Sequence, residues 1–383
     1  MWTVALRMLI GDKTKCLALI LGVGFSTLLI CQQVSIFFGL LGRASSVVND
    51  VREADLWIMD PSVKTIDVPY PLRDTQLGRV RGVEGVAWAV PFFKAQAQVR
   101  TRGGNLENSV ILGIDDASLV GVPDQFLLGS IDDLTMPDAI AVNPAGYRLL
   151  FPGEELAVGQ TLELNDRRAK IVAIIDASPA FAANLTIFTR YSLATAFTNN
   201  GRNDLSFILA KAAPPEGQTS ADVAAAITEQ TGLKAVTSAH FRWESIAYIL
   251  ANTGIPVSFG TVVILGVIIG IAIVGLTFNQ FVIENIKQYA ALKAIGVRNF
   301  RLLTMTLFQA AFVGFIGYAL GLAAASLFFS QWVAQQSDAL RGFYLLPEVA
   351  IGTALAATFI VVTSTLVSMR RVLVVDPATV FRG

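Results

Sequence analysis

Four long stretches of this chain are apolar and free of charge: residues 17–41, 255–283, 302–330 and 349–369. A helix needs about 20 mostly apolar residues to cross the hydrocarbon core of a bilayer, so each stretch predicts a transmembrane helix. The segment 42–254 reads differently. Residues 55–59 predict a short strand. Asp74 is placed to cap a helix over 75–81, closed by Gly82. From 94 to 102 the pattern alternates, with Lys94, Gln96, Gln98, Arg100 and Arg102 facing one way and Ala95, Ala97, Val99 and Thr101 the other. Gly103-Gly104 turns the chain into a strand over 109–114. A second hairpin pairs 161–164 with 169–175 across Asn165-Asp166. A strand over 205–210, a helix capped by Ser220 that runs to Thr231 and stops at Gly232, and a strand over 234–237 complete the series. Strand-helix-strand units at both ends bracket a β-rich middle. This predicts a split α/β part with an insertion over about 115–203. Residues 240–252 form an amphipathic helix whose Phe241, Trp243 and Tyr248 are expected to mark the outer membrane interface.

Composition agrees with a membrane protein carrying a soluble domain. Of 383 residues, 54% are hydrophobic and 15% charged, against roughly 25% charged in soluble domains. Lys plus Arg equals Asp plus Glu, 29 each, and no basic run points to nucleic acid. The first apolar tract exceeds the roughly 7–15 residues of a signal-peptide core and is read as an uncleaved anchor. Basic residues gather in three short flanks. These are the leader 1–16 (Arg7, Lys13, Lys15), the loop 284–301 (Lys287, Lys293, Arg298, Arg301) and the tail 370–383 (Arg370, Arg371, Arg382). The loop 331–348 has only Arg341 against Asp338 and Glu348. Positive flanks stay in the cytoplasm, so both termini and the loop 284–301 are assigned there, and 42–254 outside. Cys16 and Cys31 sit about 22 Å apart along one helix, too far to pair, and are read as small apolar residues.

Signs of chemistry are sparse. Asp115-Asp116, Asp132-Asp133 and Glu154-Glu155 lack His or Cys at metal-ligand spacing and read as solvated loop acids. His240 is the single histidine, which excludes a multi-histidine metal site. No phosphate-binding G-x-x-x-x-G-K-[ST] loop occurs, so any ATP-driven work must draw on another chain. The spans carry no charged residue, which disfavours an ion-coupled carrier. Gly266 with Gly270, and Gly317 with Gly321, have the spacing that admits close helix packing. The loop from Glu284 to Arg301 predicts a short basic helix, with Ile286, Tyr289, Ala290, Lys293 and Ala294 at helical spacing and Gly296 as its stop. Such a helix suits the membrane surface or a partner's groove.

This loop, with its core Ala-Leu-Lys-Ala-Ile-Gly296, resembles that of FtsX-like ABC transporter permeases of the macrolide-exporter and lipoprotein-release type, also called type VII. The leader (Ala5, Leu6, Arg7, Lys13) resembles their N-terminal amphipathic helix. The tail (Asp376, Pro377, Ala378, Val380, Phe381, Arg382) resembles their usual ending. One span, a large outer domain and three more spans reproduce the family layout, most similar to the DevC subfamily. The resemblance implies four transmembrane helices plus an α+β extracytoplasmic domain, a split ferredoxin-like part with a β-rich insertion, between spans 1 and 2. It implies a non-catalytic, multi-pass permease of the cell inner membrane. A separate ABC ATPase would bind the ATP and magnesium and drive movement of the periplasmic domain. A second permease copy would complete a homodimer. A periplasmic adaptor and an outer-membrane channel would complete a tripartite exporter. Carried onto this loop, the resemblance makes Glu284, Lys287, Tyr289, Leu292, Lys293, Gly296 and Arg298 the ATPase-coupling residues, with Tyr289, Leu292 and Lys293 expected to touch the ATPase. Two alternatives remain. A lipoprotein-release permease would need an open apolar groove near 241–248. A signalling platform that activates a periplasmic hydrolase would be expected to have a smaller outer domain.

Overall fold

The structure, a computed structural model, describes residues 2–198, 204–333 and 343–374. The tail motif from Asp376 to Arg382, and Asp338 and Arg341, lie outside the described residues. The chain divides into two compact units. One holds the residues up to Phe38 and those from Gly254 onward, and the other spans Gly39–Thr253.

The first unit is helical. It comprises α1 (Trp2–Gly11), most of α2 (Lys13–Arg43), α9 (Ile255–Glu284), α10 (Ile286–Ala294), α11 (Asn299–Leu327) and α12 (Pro347–Val374). The helices α2, α9, α11 and α12 are each long and apolar enough to cross a membrane. Gly254 precedes α9 and a proline stands in its first turn, where the missing N–H has no helical partner to lose. A π-helical turn over Phe328–Val333 extends α11.

Between apolar helices in lipid there is little hydrophobic drive, so close backbone approach and hydrogen bonds hold them. Here the small residues do that work. A Cβ on Gly317 would lie 2.8 Å from the carbonyl oxygen of Ile20, and one on Gly24 would lie 3.2 Å from that of Gly317. One on Gly321 would collide with the carbonyl of Gly24. A Cβ on Gly270 would lie 2.6 Å from the Ser26 hydroxyl, and one on Gly266 would lie 3.3 Å from the Ile30 side chain. Both glycine pairs therefore open onto α2. The hydroxyls of Ser364 and Ser368 on α12 donate to the carbonyls of Ile271 (3.2 Å) and Gly275 (3.1 Å) on α9, and Tyr318 donates to Ala350 at 2.9 Å.

The second unit is α+β. Its first sheet has the order β10-β1-β9-β2, formed by Lys234–Thr237, Leu56–Met59, Phe207–Ala212 and Val86–Arg100. The helices α4 (Thr75–Arg81) and α7 (Ser220–Thr231) make the two crossovers, β1-α4-β2 and β9-α7-β10. In each crossover one strand separates the pair, which is the split βαβ arrangement of ferredoxin-like folds. The strand period sorts the core. Leu56 and Ile58 pack with Val80, Val223 and Ile227 on the helical face. On the opposite face Trp57 meets Phe92, Phe207 and Phe241 at ring-centroid distances of 5.4–5.6 Å.

The insertion forms the rest of one continuous sheet. Strand β3 (Leu106–Ile114) pairs with the second half of β2 and runs parallel to β8 (Leu185–Arg190). The order then continues through β5 (Ala139–Val142) and β7 (Arg167–Ile175) to β4 (Phe126–Leu128), while β6 (Thr161–Leu164) pairs with β2 and β7. The inserted structure therefore begins inside β2, near Phe93, and not at 115. Residues Val86 to Phe92 pair with β9, and Phe93 to Arg100 pair with β3. A single long strand serves both halves, which no local pattern announces.

Three local readings also shift. The cap of α7 is Thr219, one residue before Ser220, because Thr219 and Asp222 close a reciprocal capping box. Lys94 does not share the solvated face of Gln96 and Gln98. It is buried where β2 changes partners, donating to the Ile66 carbonyl at 3.0 Å and to Asp67 at 2.5 Å. Phe241 of α8 (Ser238–Asn252) is fully buried in the aromatic cluster and is not an interfacial residue, while Trp243 is 62% exposed.

Candidate functional site

The loop between α9 and α11 carries the candidate site. It is built by α10 and by the way its ends are tied down. After α10 the chain stops in a Schellman motif. Val297 N–H donates to the Leu292 carbonyl and Gly296 N–H to the Lys293 carbonyl, both at 3.0 Å. Gly296 takes φ +93°, a left-handed conformation that glycine adopts without steric penalty. Leu292 and Val297, the two ends of this motif, both pack against one apolar cluster with Tyr289, Ala5, Val282, Leu302 and Met305.

Tyr289 is the anchor. Its ring is buried and its hydroxyl lies 3.4 Å from the Thr306 hydroxyl on α11. Burial pushes its phenol pKa above the usual value, and the Thr306 contact offsets part of that shift. At the other end Glu284 forms an ion pair with Lys15 of α2, and Lys15 also meets Asp12 at 2.5 Å. The leader helix α1 is tied down by Gln309, whose amide donates to the Ala5 carbonyl at 2.7 Å.

The structure therefore divides the residues singled out in the sequence. Tyr289 faces inward, Leu292 is half-buried against the cap, and Glu284 is engaged by Lys15. Within this chain Tyr289 and Leu292 both pack against the loop's own apolar cluster and hold the loop helix in place. Lys293 is half-buried, Lys287 and Arg298 are exposed, and Gly296 is the cap. The open face of α10 is formed by Lys287, Gln288, Ala291, Ala294 and Ile295. Ile295 is 78% exposed, and Phe300 on the first turn of α11 is 73% exposed. Their spacing of one, four, seven and eight residues from Lys287 was present in the sequence. The ambiguity was which face is open, because the buried face contains a tyrosine and the open one an isoleucine. Chemically, this is a small-residue ridge with apolar ends and basic flanks. Such a ridge can seat in a groove.

Elsewhere four of the six singled-out acids have local duties. Asp115 accepts from Ser118, Asp133 from Ser130, Asp116 from the Ser192 N–H, and Glu154 pairs with Arg102. His240 is exposed. Among the described residues no group of three His, Cys, Asp or Glu side chains could hold a metal ion.

Comparison with known proteins agrees with this architecture. The MacB-like periplasmic core domain family matches residues 16–230, more than half of the 383-residue chain. The FtsX-like permease C-terminal family matches residues 260–377. An uncharacterized ABC transporter permease of Mycobacterium tuberculosis is 22% identical over 320 residues, covering 82% of this chain and 80% of its own. One from Mycobacterium bovis is 26% identical over 321 residues, with the same coverage. Among solved structures, the extracellular domain of the noncanonic ABC-type transporter YknZ from Gram-positive bacteria aligns with a TM-score of 0.35 and 14% identity. It covers 48% of this chain and 98% of that one. The periplasmic region of MacB from Actinobacillus actinomycetemcomitans aligns at 0.37 and 13%, covering 54% and 96%. Four apolar helices in a relative of ABC permeases make this an integral membrane protein. The chain belongs to the ABC transporter permeases that join a MacB-like periplasmic core domain to an FtsX-like C-terminal region.

Proposed function

We propose that this permease relays ATP-driven motion from a separate cytoplasmic ATPase to its outer domain, as part of an exporter of the DevC-like kind. The observation that carries the reading is the open face of α10. It presents Ala291, Ala294 and Ile295 outward while Tyr289, the glycine cap and the Glu284–Lys15 pair fix the helix from behind. A ridge held rigidly to two spans transmits force in a way that a loose loop does not. Positive flanks place that ridge and both termini in the cytoplasm. In this reading ATP and magnesium bind the partner, the permease acts as a pair, and the outer domain works on an adaptor and an outer-membrane channel.

The test is affinity purification of the tagged protein in mild detergent. An ABC ATPase is expected to accompany the parent chain and to be lost from Ile295→Asp and Ala291→Asp, while Tyr289→Phe retains it. Correctly inserted protein that brings down no ATPase overturns the proposal.

A further inference from the structure

Strand β4 and the residues just after it expose apolar side chains that the fold leaves uncovered. Strand β4 ends the sheet order, so its outer edge has no strand partner among the described residues. Leu127, Leu128, Ile131 and Met136, on and just after this strand, are each more than a third exposed. Unpaired edges with exposed apolar side chains invite another strand and are ordinarily blunted with charge, most often lysine. Here the charge is all of one sign. From residue 103 to 147 the chain has seven acids and no Lys or Arg. Asp124, Asp132 and Asp138 bracket the patch and are exposed. Two cations approach from elsewhere in the domain. Arg52 lies 3.8 Å from Asp124 with both side chains more than half exposed, and Arg190 donates to the Met136 carbonyl at 3.5 Å. The edge itself is held firmly. Gly129, at φ +77°, lets the backbone lie against β7, where any Cβ would collide with the Val172 carbonyl.

We infer that the outer edge of β4 is the docking strand for a separate protein presenting an extended segment that mixes Lys or Arg with apolar residues. Strand addition supplies backbone hydrogen bonds, the leucines supply burial, and the aspartates select a basic partner. A second copy of this chain is a poorer occupant. Its basic residues Arg100 and Lys170 sit on strands already paired on both sides. The inference concerns the outer domain alone and stands whether or not an ATPase binds the loop helix.

Two measurements on the full chain test it. In cells, a photo-crosslinking residue at Leu127 is expected to capture a different polypeptide through a peptide rich in Lys or Arg, while the same residue at exposed Val158 does not. Capture of a second copy, of lipid only, or of nothing overturns the proposal. In detergent, a labelled peptide of alternating lysine and valine is expected to bind, and one of alternating glutamate and valine is not. The double variant Asp124→Lys/Asp132→Lys should weaken binding about tenfold or more, with that attraction falling as salt rises. Equal binding by parent and variant, at an unchanged thermal midpoint, overturns it. If the variant loses its fold, the crosslink, made without altering surface charge, decides.

Discussion

At the residue scale the loop helix depends on Gly296, which ends it, and on Tyr289, whose side chain anchors it. Gly296 occupies a conformation that costs an L-residue about 1 kcal/mol. Gly296→Ala should therefore lower the thermal midpoint modestly and reduce ATPase retention more than Lys287→Ala does. Tyr289→Ala opens a cavity under the helix and should cost about 3–5 kcal/mol, whereas Tyr289→Phe should cost under about 1 kcal/mol because its 3.4 Å contact is long. A second residue-scale effect lies in the outer domain. Burial pushes the Asp50 carboxyl up to about 7, an effect that the Ser178 N–H and Arg52 oppose and Asp176 adds to. The folded state then holds this proton more tightly than the unfolded chain. The resulting stabilisation is full below about pH 4, the usual carboxylate range, and is lost as pH rises to about 7. Asp50→Asn should flatten that part of the melting-versus-pH curve and raise the midpoint above pH 7. Caps and turns were legible here: Asp74 does accept from the Thr75 N–H, and Asn165 and Asp166 do take positive φ. Lys94 was not, because strand alternation describes one sheet and β2 passes from one set of partners to another at that point.

At the element scale the helices are held by what they lack. Gly24, Gly317 and Gly321 bring the backbones of α2 and α11 together, and a Cβ on Gly317 or Gly321 would press into a carbonyl oxygen of α2. Gly321→Leu should cost about 3 kcal/mol or more and lower the yield of monodisperse protein in detergent. Gly352→Leu, at a position with open space, should leave both unchanged. The spacing of the glycine pairs was visible in the sequence, but the helix they face was not. That choice depends on which faces meet, and apolar helices in lipid carry almost no amphipathic signal to announce it. For α7 the sequence pointed to Ser220 as the cap, and the structure caps the helix with Thr219. The capping box with Asp222 selected the latter.

At the scale of the whole molecule, the proposed topology rests on the positive flanks, which in that reading put 284–301 on one side of the membrane and 42–254 on the other. In a chain with Cys16 and Cys31 replaced by alanine, a cysteine at Lys287 should react with an impermeant maleimide only after the membrane is opened. One at exposed Val158 should react in intact outer-membrane-permeabilised cells. The reverse pattern would place the loop helix outside and end the ATPase assignment. The sequence by itself determined the four apolar helices, the domain inserted after the first of them, the two crossover units and the loop helix with its glycine stop. These follow from hydrophobic period and backbone preference, which act over a few neighbouring residues. Only the tertiary structure decided that β2 serves both halves of one sheet, that Phe241 is core, that Tyr289 faces inward while Ile295 faces out, and that β4 is left as an apolar edge. Each of these depends on contacts between residues far apart in the chain. The same local pattern is compatible with either outcome until those partners arrive.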